Sequence, residues 1–86
     1  MTGEGSGVRA VVEMLASALT SRPEEVTVTE SQHQGKTLVE VFVAPGELGR
    51  VIGRQGRTAA ALRTLAATAG EKEGKTVTLE IRDGKP

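Results

Sequence analysis

The sequence predicts an α+β domain in which a three-stranded sheet carries helices on one face. Two long segments repeat apolar residues at helical spacing. Three other segments alternate apolar and polar residues, as half-buried strands do. A chain of 86 residues buries about 60 to 65% of its unfolded surface, enough for one modest core. We therefore expect a single domain at residues 8–82, between a flexible tail at 1–7 and a short tail at 83–86.

The first half of this domain predicts one helix followed by a hairpin. The apolar face of the helix consists of Val8, Val11, Val12, Leu15, Ala16 and Leu19. Ser6 is the candidate N-cap, and Pro23 is expected to stop the helix. The stretches "EVTVTES" and "TLVEVFVAP" read as strands, separated by the turn residues "SQHQGK". In the second strand Val39, Val41 and Val43 share the face that we expect to meet the helices.

The second half predicts a short helix, a glycine turn, a longer helix and a last strand. The stretch "GELGRVI" forms the short helix, which Gly53 ends. Past Gly56 the longer helix runs to Gly70, and "TVTLEIR" forms the strand. The residues expected to face inward are Leu48, Val51 and Ile52 in the short helix and Leu62, Leu65, Ala66 and Ala69 in the long one. The predicted order is α-β-β-α-α-β.

Composition excludes several classes of function. The chain has no cysteine, so disulfides, thiolate metal sites and cysteine nucleophiles are absent. Its one histidine, His33, lies in a polar turn, so we expect no metal site and no cofactor. No nucleophile, base and orienting group come together, which argues against an enzyme with a small-molecule substrate. Without a signal-like or membrane-length apolar run, we expect a cytoplasmic protein that does not contact a membrane.

The charge of the chain is unevenly distributed although its net value is zero. Between residues 48 and 70 there are four arginines, at positions 50, 54, 57 and 63, and no acidic residue. Seven basic and eleven acidic residues remain elsewhere. This concentration of positive charge favours a local contact with a polyanion, while a solvated helix face is the alternative explanation.

The stretch "VIGRQGR", residues 51–57, lies at the centre of that basic region. A G-x-x-G pattern alone is uninformative, because Gly46 and Gly49 form another one. The context is more telling: a turn between two helices leaves the amide groups that open the second helix without internal partners, which suits an anion. Two glycines let a phosphate backbone come close. Arg54 and Gln55 are then exposed at the tip.

The stretch "VAPGELGRVIGRQGRTAAALRTL", residues 43–65, resembles the KH domain, and specifically the small bacterial proteins that consist of one KH module. The resemblance covers about residues 8–82. Two strands and a helix precede the glycine loop and one strand follows, which is similar to the type II arrangement. The other arrangement would need two strands and a helix after position 70, where only 16 residues remain.

The resemblance implies single-stranded RNA in a narrow groove, with the glycine loop clamping about four nucleotides. Carried over to this chain, the clamp is Gly53, Arg54, Gln55 and Gly56, the aliphatic groove is flanked by Ile52 and Val43, and Arg50 and Arg57 lie near the phosphates. Thr58 and Ala60 stand where many relatives have an aliphatic and a basic residue. Phe42 is the only aromatic residue, which argues against RNA readers that stack bases on aromatic platforms.

We therefore expect a non-catalytic protein that binds short single-stranded segments of RNA with low sequence selectivity, acting as an RNA chaperone or post-transcriptional regulator. The resemblance also implies pairing with a larger KH-containing protein, and a homodimer is the other pairing that we expect. The alternative is a protein-interaction adaptor in which RNA binding is secondary. Its contact surface would be the open sheet face or Phe42, if that side chain faces away from the helices.

Overall fold

The helices and strands follow one another in the predicted order. The computed structural model describes residues 7–86. The elements are α1 (Gly7–Leu19), β1 (Thr27–His33), β2 (Lys36–Val43), α2 (Leu48–Ile52), α3 (Arg57–Lys72) and β3 (Val77–Asp83). This order confirms the α+β fold and the type II arrangement that the resemblance implied. The candidate cap Ser6 lies outside the described residues, and the elements extend one residue beyond the predicted domain at each end.

The sheet is mixed and has the order β1-β2-β3. Strand β1 is antiparallel to β2, and β2 is parallel to β3. The hairpin turn consists of Gln34 and Gly35 alone, with φ values of 53° and 79°. Two positive φ angles are typical of the tight turn whose twist matches the flanking strands. Pairing therefore continues to His33 and Lys36, and the predicted six-residue turn was too long.

The core lies between the sheet and the helices. Val39, Val41 and Val43 have no accessible surface, which confirms the predicted inner face of β2. They pack with the buried residues Val8, Val12, Ala16, Val28, Val51, Leu62, Ala66 and Leu79. Full burial of one valine side chain stabilises the fold by about 1.5 to 3 kcal/mol. This cluster fixes α2 and α3 on one face of the sheet.

Gly70 lies inside α3, not at its end. The helix continues to Lys72, so the prediction that Gly70 stops it was wrong. A Cβ atom at Gly70 would lie 3.1 Å from the carbonyl oxygen of Lys75 and 3.3 Å from the Cβ atom of Val77. Glycine at position 70 therefore allows the segment that leads into β3 to pass close to α3. Gly74, with a φ of 70°, follows the helix instead.

Two large side chains depart from their predicted environments. Leu65 was expected in the core but is 47% exposed. Ala59, Leu62, Ala66 and Gly70 are the residues of α3 that are buried. At 100° per residue these four residues lie on one side of the helix, and Leu65 lies outside that side, on the outer flank. Phe42 is the opposite case: only 7% exposed, it offers almost no surface to a partner, so the predicted contact through this residue was wrong.

Candidate nucleic-acid interface

The loop between α2 and α3 turns by means of three residues with positive φ. Gly53 has φ 77° and ψ 174°, Gln55 has φ 58° and ψ 24°, and Gly56 has φ 73° and ψ 13°. The Gly53 conformation is accessible almost only to glycine, whereas the other two are left-handed helical. The loop thus has a sharply defined shape that depends on glycine at both shoulders.

The two glycines are required for different reasons. A Cβ atom at Gly53 would collide with Thr58, at 2.7 Å from its Cβ atom and 3.1 Å from its backbone nitrogen. At Gly56 a Cβ atom would meet nothing within 4 Å. Only the backbone angle restricts Gly56, and its outer side is open to an approaching ligand.

The tip of the loop presents polar side chains to solvent. Arg54 and Gln55 are exposed, while Gly53 and Gly56 are half-buried. The Nη2 group of Arg57 donates a hydrogen bond of 3.0 Å to Oε1 of Gln55. The Gln55 oxygen is therefore occupied and its amino group is left as a donor, the polarity that a phosphate or ribose oxygen requires.

The backbone amides of the turn are less available than the sequence suggested. The amide of Gly56 donates to the carbonyl of Gly53 at 3.1 Å, and the amide of Arg57 donates to the carbonyl of Arg54. The turn is tight enough to close these bonds on itself. No side chain caps α3. The chemistry of the site therefore rests more on side-chain donors than on the amides that open the helix.

The position of α2 is set by Glu47, a buried residue that sequence analysis did not identify. Its carboxylate accepts bonds of 2.7 Å from Oγ1 of Thr20, 2.7 Å from the amide of Ser21 and 2.8 Å from Oγ of Ser21. These bonds, led by that from Thr20, lower the pKa of Glu47 to about 2. Arg50, which is exposed, lies with its Nε 3.6 Å from Oε1 of Glu47.

Helix α3, which continues from the loop, and strand β3 form a further candidate surface. A cleft of about 400 Å³ is lined by Arg63, Thr64 and Ala67 of α3 and by residues 77–80 of β3. Arg63 was noted in the sequence only as part of the basic region. Its position opposite a strand could not be inferred without knowing that β3 is an edge strand beside α3.

Two predicted groove residues have different environments. Ile52 is half-buried and retains surface beside the loop. Val43 has no accessible surface and belongs to the core cluster. Val43 is therefore not part of a direct contact surface. Its side chain packs in the core and supports the helices on that face of the sheet.

A larger cleft lies elsewhere and does not suit the same ligand. It measures about 770 Å³ and is bounded by Glu24 and Glu25, the end of β2, and the C-terminal residues 84–86. None of its lining residues belongs to the loop or to α3. Two carboxylates at its wall would repel a phosphate backbone, so the basic loop is the better candidate despite its smaller cleft.

Two other kinds of site are not found in residues 7–86. In this part of the chain no helix combines the length and apolar character needed to cross a membrane. No group of three or more His, Cys, Asp or Glu residues there is placed to hold a metal ion.

Comparison with known proteins places the chain in a family. Residues 9–81 match the family model described as KhpA/KhpB, KH domain. The RNA-binding protein KhpA of Aquifex aeolicus is 45% identical over 76 residues, covering 88% of this chain and 96% of the relative. The RNA-binding protein KhpA of Clostridium perfringens is 40% identical over 74 residues, covering 86% and 99%. That of Caldanaerobacter subterraneus is 44% identical over 71 residues, covering 83% and 95%.

The match spans the whole of the glycine loop and both flanking helices, and these relatives are named for binding and not for catalysis. The resemblance inferred from residues 43–65 is thus confirmed over most of the chain. The chain belongs to the KhpA/KhpB family of KH-domain proteins.

Proposed function

We propose that this chain is a non-catalytic RNA-binding protein that clamps a short single-stranded segment at the loop of residues 53–56. The observation that carries the proposal is the form of the loop. Arg54 and Gln55 are exposed at its tip, and the side of Gly56 that a Cβ atom would occupy is empty for 4 Å. The relatives named RNA-binding protein KhpA support the same class of ligand.

The loop would hold the ribose-phosphate backbone by charge and close approach. Arg54 and Arg57 supply charge-assisted donors, and the amino group of Gln55 adds a neutral one. Arg50 reaches the same region from α2, with part of its charge offset by Glu47. Because single strands lose affinity with salt by a slope of about −0.7 per neutralised phosphate, three arginine contacts would give a log–log slope of about −2.

A single strand fits this site better than a duplex does. The cleft beside α3 is small and partly apolar, with Ala67, Val77 and Leu79 among its lining residues. Unstacked bases can enter such a space, whereas paired bases cannot turn their edges into it. A chaperone or post-transcriptional role in the cytoplasm follows from binding short segments of many RNAs, and we propose it on that basis.

The clamp is tested by the double variant Arg54→Asp/Gln55→Asp. We expect binding to an eight-nucleotide RNA to fall at least tenfold, since two phosphate contacts become repulsive. The thermal midpoint should stay close to that of the wild type because both side chains are exposed. Fluorescence anisotropy and thermal unfolding provide the two measurements.

The hairpin turn offers a matched control. Gln34→Asp/Lys36→Asp makes the same change of net charge at another exposed turn whose glutamine also has a positive φ. It should bind RNA like the wild type apart from a small change in long-range charge. Wild-type affinity in the loop variant, or equal losses in both variants, would contradict the clamp.

We also propose that the chain pairs with a second KH-domain chain, as a homodimer or with a larger KH-containing protein. Met14 is 63% exposed and Leu65 is 47% exposed, and they are the large exposed hydrophobic residues of the described chain. Helices α1 and α3 are in contact, and the amide of Gly7 at the start of α1 bonds to Oε2 of Glu73 just past the end of α3, so the two helices lie side by side in opposite directions. Both residues therefore occupy the middle of neighbouring helices.

Sedimentation velocity tests the homodimer. The wild type should show a concentration-dependent dimer, and Met14→Ser/Leu65→Ser should sediment as a monomer, because the change removes apolar surface that only a partner would bury. Phe42→Ser would be a poor probe, since that residue is buried. A wild type that remains monomeric at high concentration contradicts the homodimer.

A further inference from the structure

The side chain of Arg63 bridges the two walls of the cleft between α3 and β3. Its Nε group donates a bond of 3.3 Å to the carbonyl oxygen of Leu79. That carbonyl lies on the free edge of β3. The carbonyl of Thr76 and the amide of Gly84 bond to β2, at 2.8 Å each, and alternate residues of a strand direct their backbone groups to opposite edges.

This bond orients the rest of the guanidinium group. An arginine has five N–H donors in a rigid plane, and the bond to Leu79 uses one of them. Within residues 7–86 the group makes no second hydrogen bond or ion pair. The terminal amino groups of Arg63 are thus held in a defined plane at the cleft with their donors unused.

The walls of the cleft favour a base over a phosphate. Ala67 and Val77 supply apolar surface against which the face of a base can pack. Glu80 also lines the cleft, and its carboxylate disfavours a second anion. A neutral base with acceptor atoms on one edge therefore fits this cleft better than a phosphate group does.

The cleft is within reach of a strand clamped at the loop. Arg57 and Arg63 are six residues apart on one helix, a distance of about 9 Å along its axis. Four stacked nucleotides span about 14 Å. Around the helix the two arginines are about 120° apart, and Ala60, which is small and exposed, lies about 60° from each, so no bulky side chain stands at that position between them.

We propose that Arg63 determines base specificity by binding a guanine in this cleft. The planar donor pair of an arginine matches the O6 and N7 acceptors of guanine, whereas adenine presents a donor in place of O6. The bond to Leu79 positions the guanidinium for this contact. The inference rests on the proposed function, because the loop must first hold the strand.

The test compares three eight-nucleotide RNAs of uridine that carry one central guanine, adenine or 7-deazaguanine. The wild type should bind the guanine RNA about tenfold more tightly than either of the others, as one bidentate contact discriminates. Arg63→Lys keeps the charge and loses the planar pair, so its preference should fall below about twofold. Lys36→Gln, at the far end of β2, should keep the wild-type preference.

The outcomes separate this inference from the clamp. A wild type without guanine preference, or an Arg63→Lys variant that retains it, overturns the role of Arg63. So does equal weakening toward all three RNAs with a lowered thermal midpoint, which would indicate that Arg63 only braces α3 against β3. If Arg54→Asp/Gln55→Asp still abolishes binding in those cases, the clamp stands. If the wild type binds none of the RNAs, the clamp falls with it.

Discussion

The hairpin turn and the α2–α3 loop contain the same dipeptide with nearly the same φ angles. Gln34-Gly35 has φ values of 53° and 79°, and Gln55-Gly56 has values of 58° and 73°. The first joins two antiparallel strands, while the second joins two helices within the basic region of the chain. These φ angles therefore do not distinguish the proposed binding loop from the hairpin turn. The neighbours of the dipeptide do: Gly53 on one side and Arg54 and Arg57 around it.

The largest expected effect on stability is at Gly53, which has no counterpart in the hairpin turn. Gly53→Ala should lower the free energy of unfolding by about 3 kcal/mol, because an alanine there has an almost inaccessible backbone conformation and presses on Thr58. Chemical denaturation measures this. If the free energy of unfolding falls by less than about 1 kcal/mol, the loop can change its backbone conformation easily. Its sharp shape would then not depend on glycine at position 53.

A smaller and more informative effect is expected at the glycines that the two turns share. Gly56→Ala and Gly35→Ala should each cost about 1 to 2 kcal/mol, because both need a left-handed backbone and neither Cβ atom would meet another atom within 4 Å. Only Gly56→Ala should also weaken RNA binding, since its methyl group would stand where the ribose-phosphate backbone approaches. Denaturation and anisotropy on both variants check the pair.

The result for RNA decides whether the two turns differ in function. If Gly35→Ala weakens RNA binding as much as Gly56→Ala does, the hairpin belongs to the interface and the proposed site is incomplete. If neither changes it, the open side of Gly56 is not where the RNA lies. Unequal stability losses would indicate that one of the turns is under strain from its surroundings.

Features that depend on neighbours along the chain were predicted from the sequence. The alternation of Val39, Val41 and Val43 identified the inner face of β2, and the glycines at 53 and 56 identified the loop. Both signals lie within a few residues, where periodicity and turn chemistry act.

Features that depend on contacts between distant segments were not predicted. Glu47 accepts bonds from Thr20 and Ser21, which lie 27 and 26 residues earlier, so its burial left no local signal. Gly70 looked like a helix end because its close contact with Val77 is made only in the folded chain. The bond from Arg63 to Leu79 likewise exists only once β3 lies beside α3. The part of the site built across elements had to come from the structure.

Acid should produce the smallest of these effects, and it acts on the loop side because the carboxylate of Glu47, which anchors α2, titrates. The hydrogen bonds from Thr20 and Ser21 hold the pKa of Glu47 at about 2, against 4.5 for an ordinary glutamate. A lowered pKa in the folded state means that this contribution to stability is complete above about pH 4.5 and is lost as the pH falls toward 2.

The variant Glu47→Gln removes that titration while keeping the shape of the side chain. Its thermal midpoint at pH 7 should lie below that of the wild type, and the difference should shrink between pH 4.5 and pH 2, because only the wild type loses the carboxylate bonds. Other acidic groups titrate in both proteins, so the difference between the two curves isolates Glu47. A difference that stays constant down to pH 2 would mean that the carboxylate is not what fastens α2, and the support of the loop would have to be sought in the core packing of Val51.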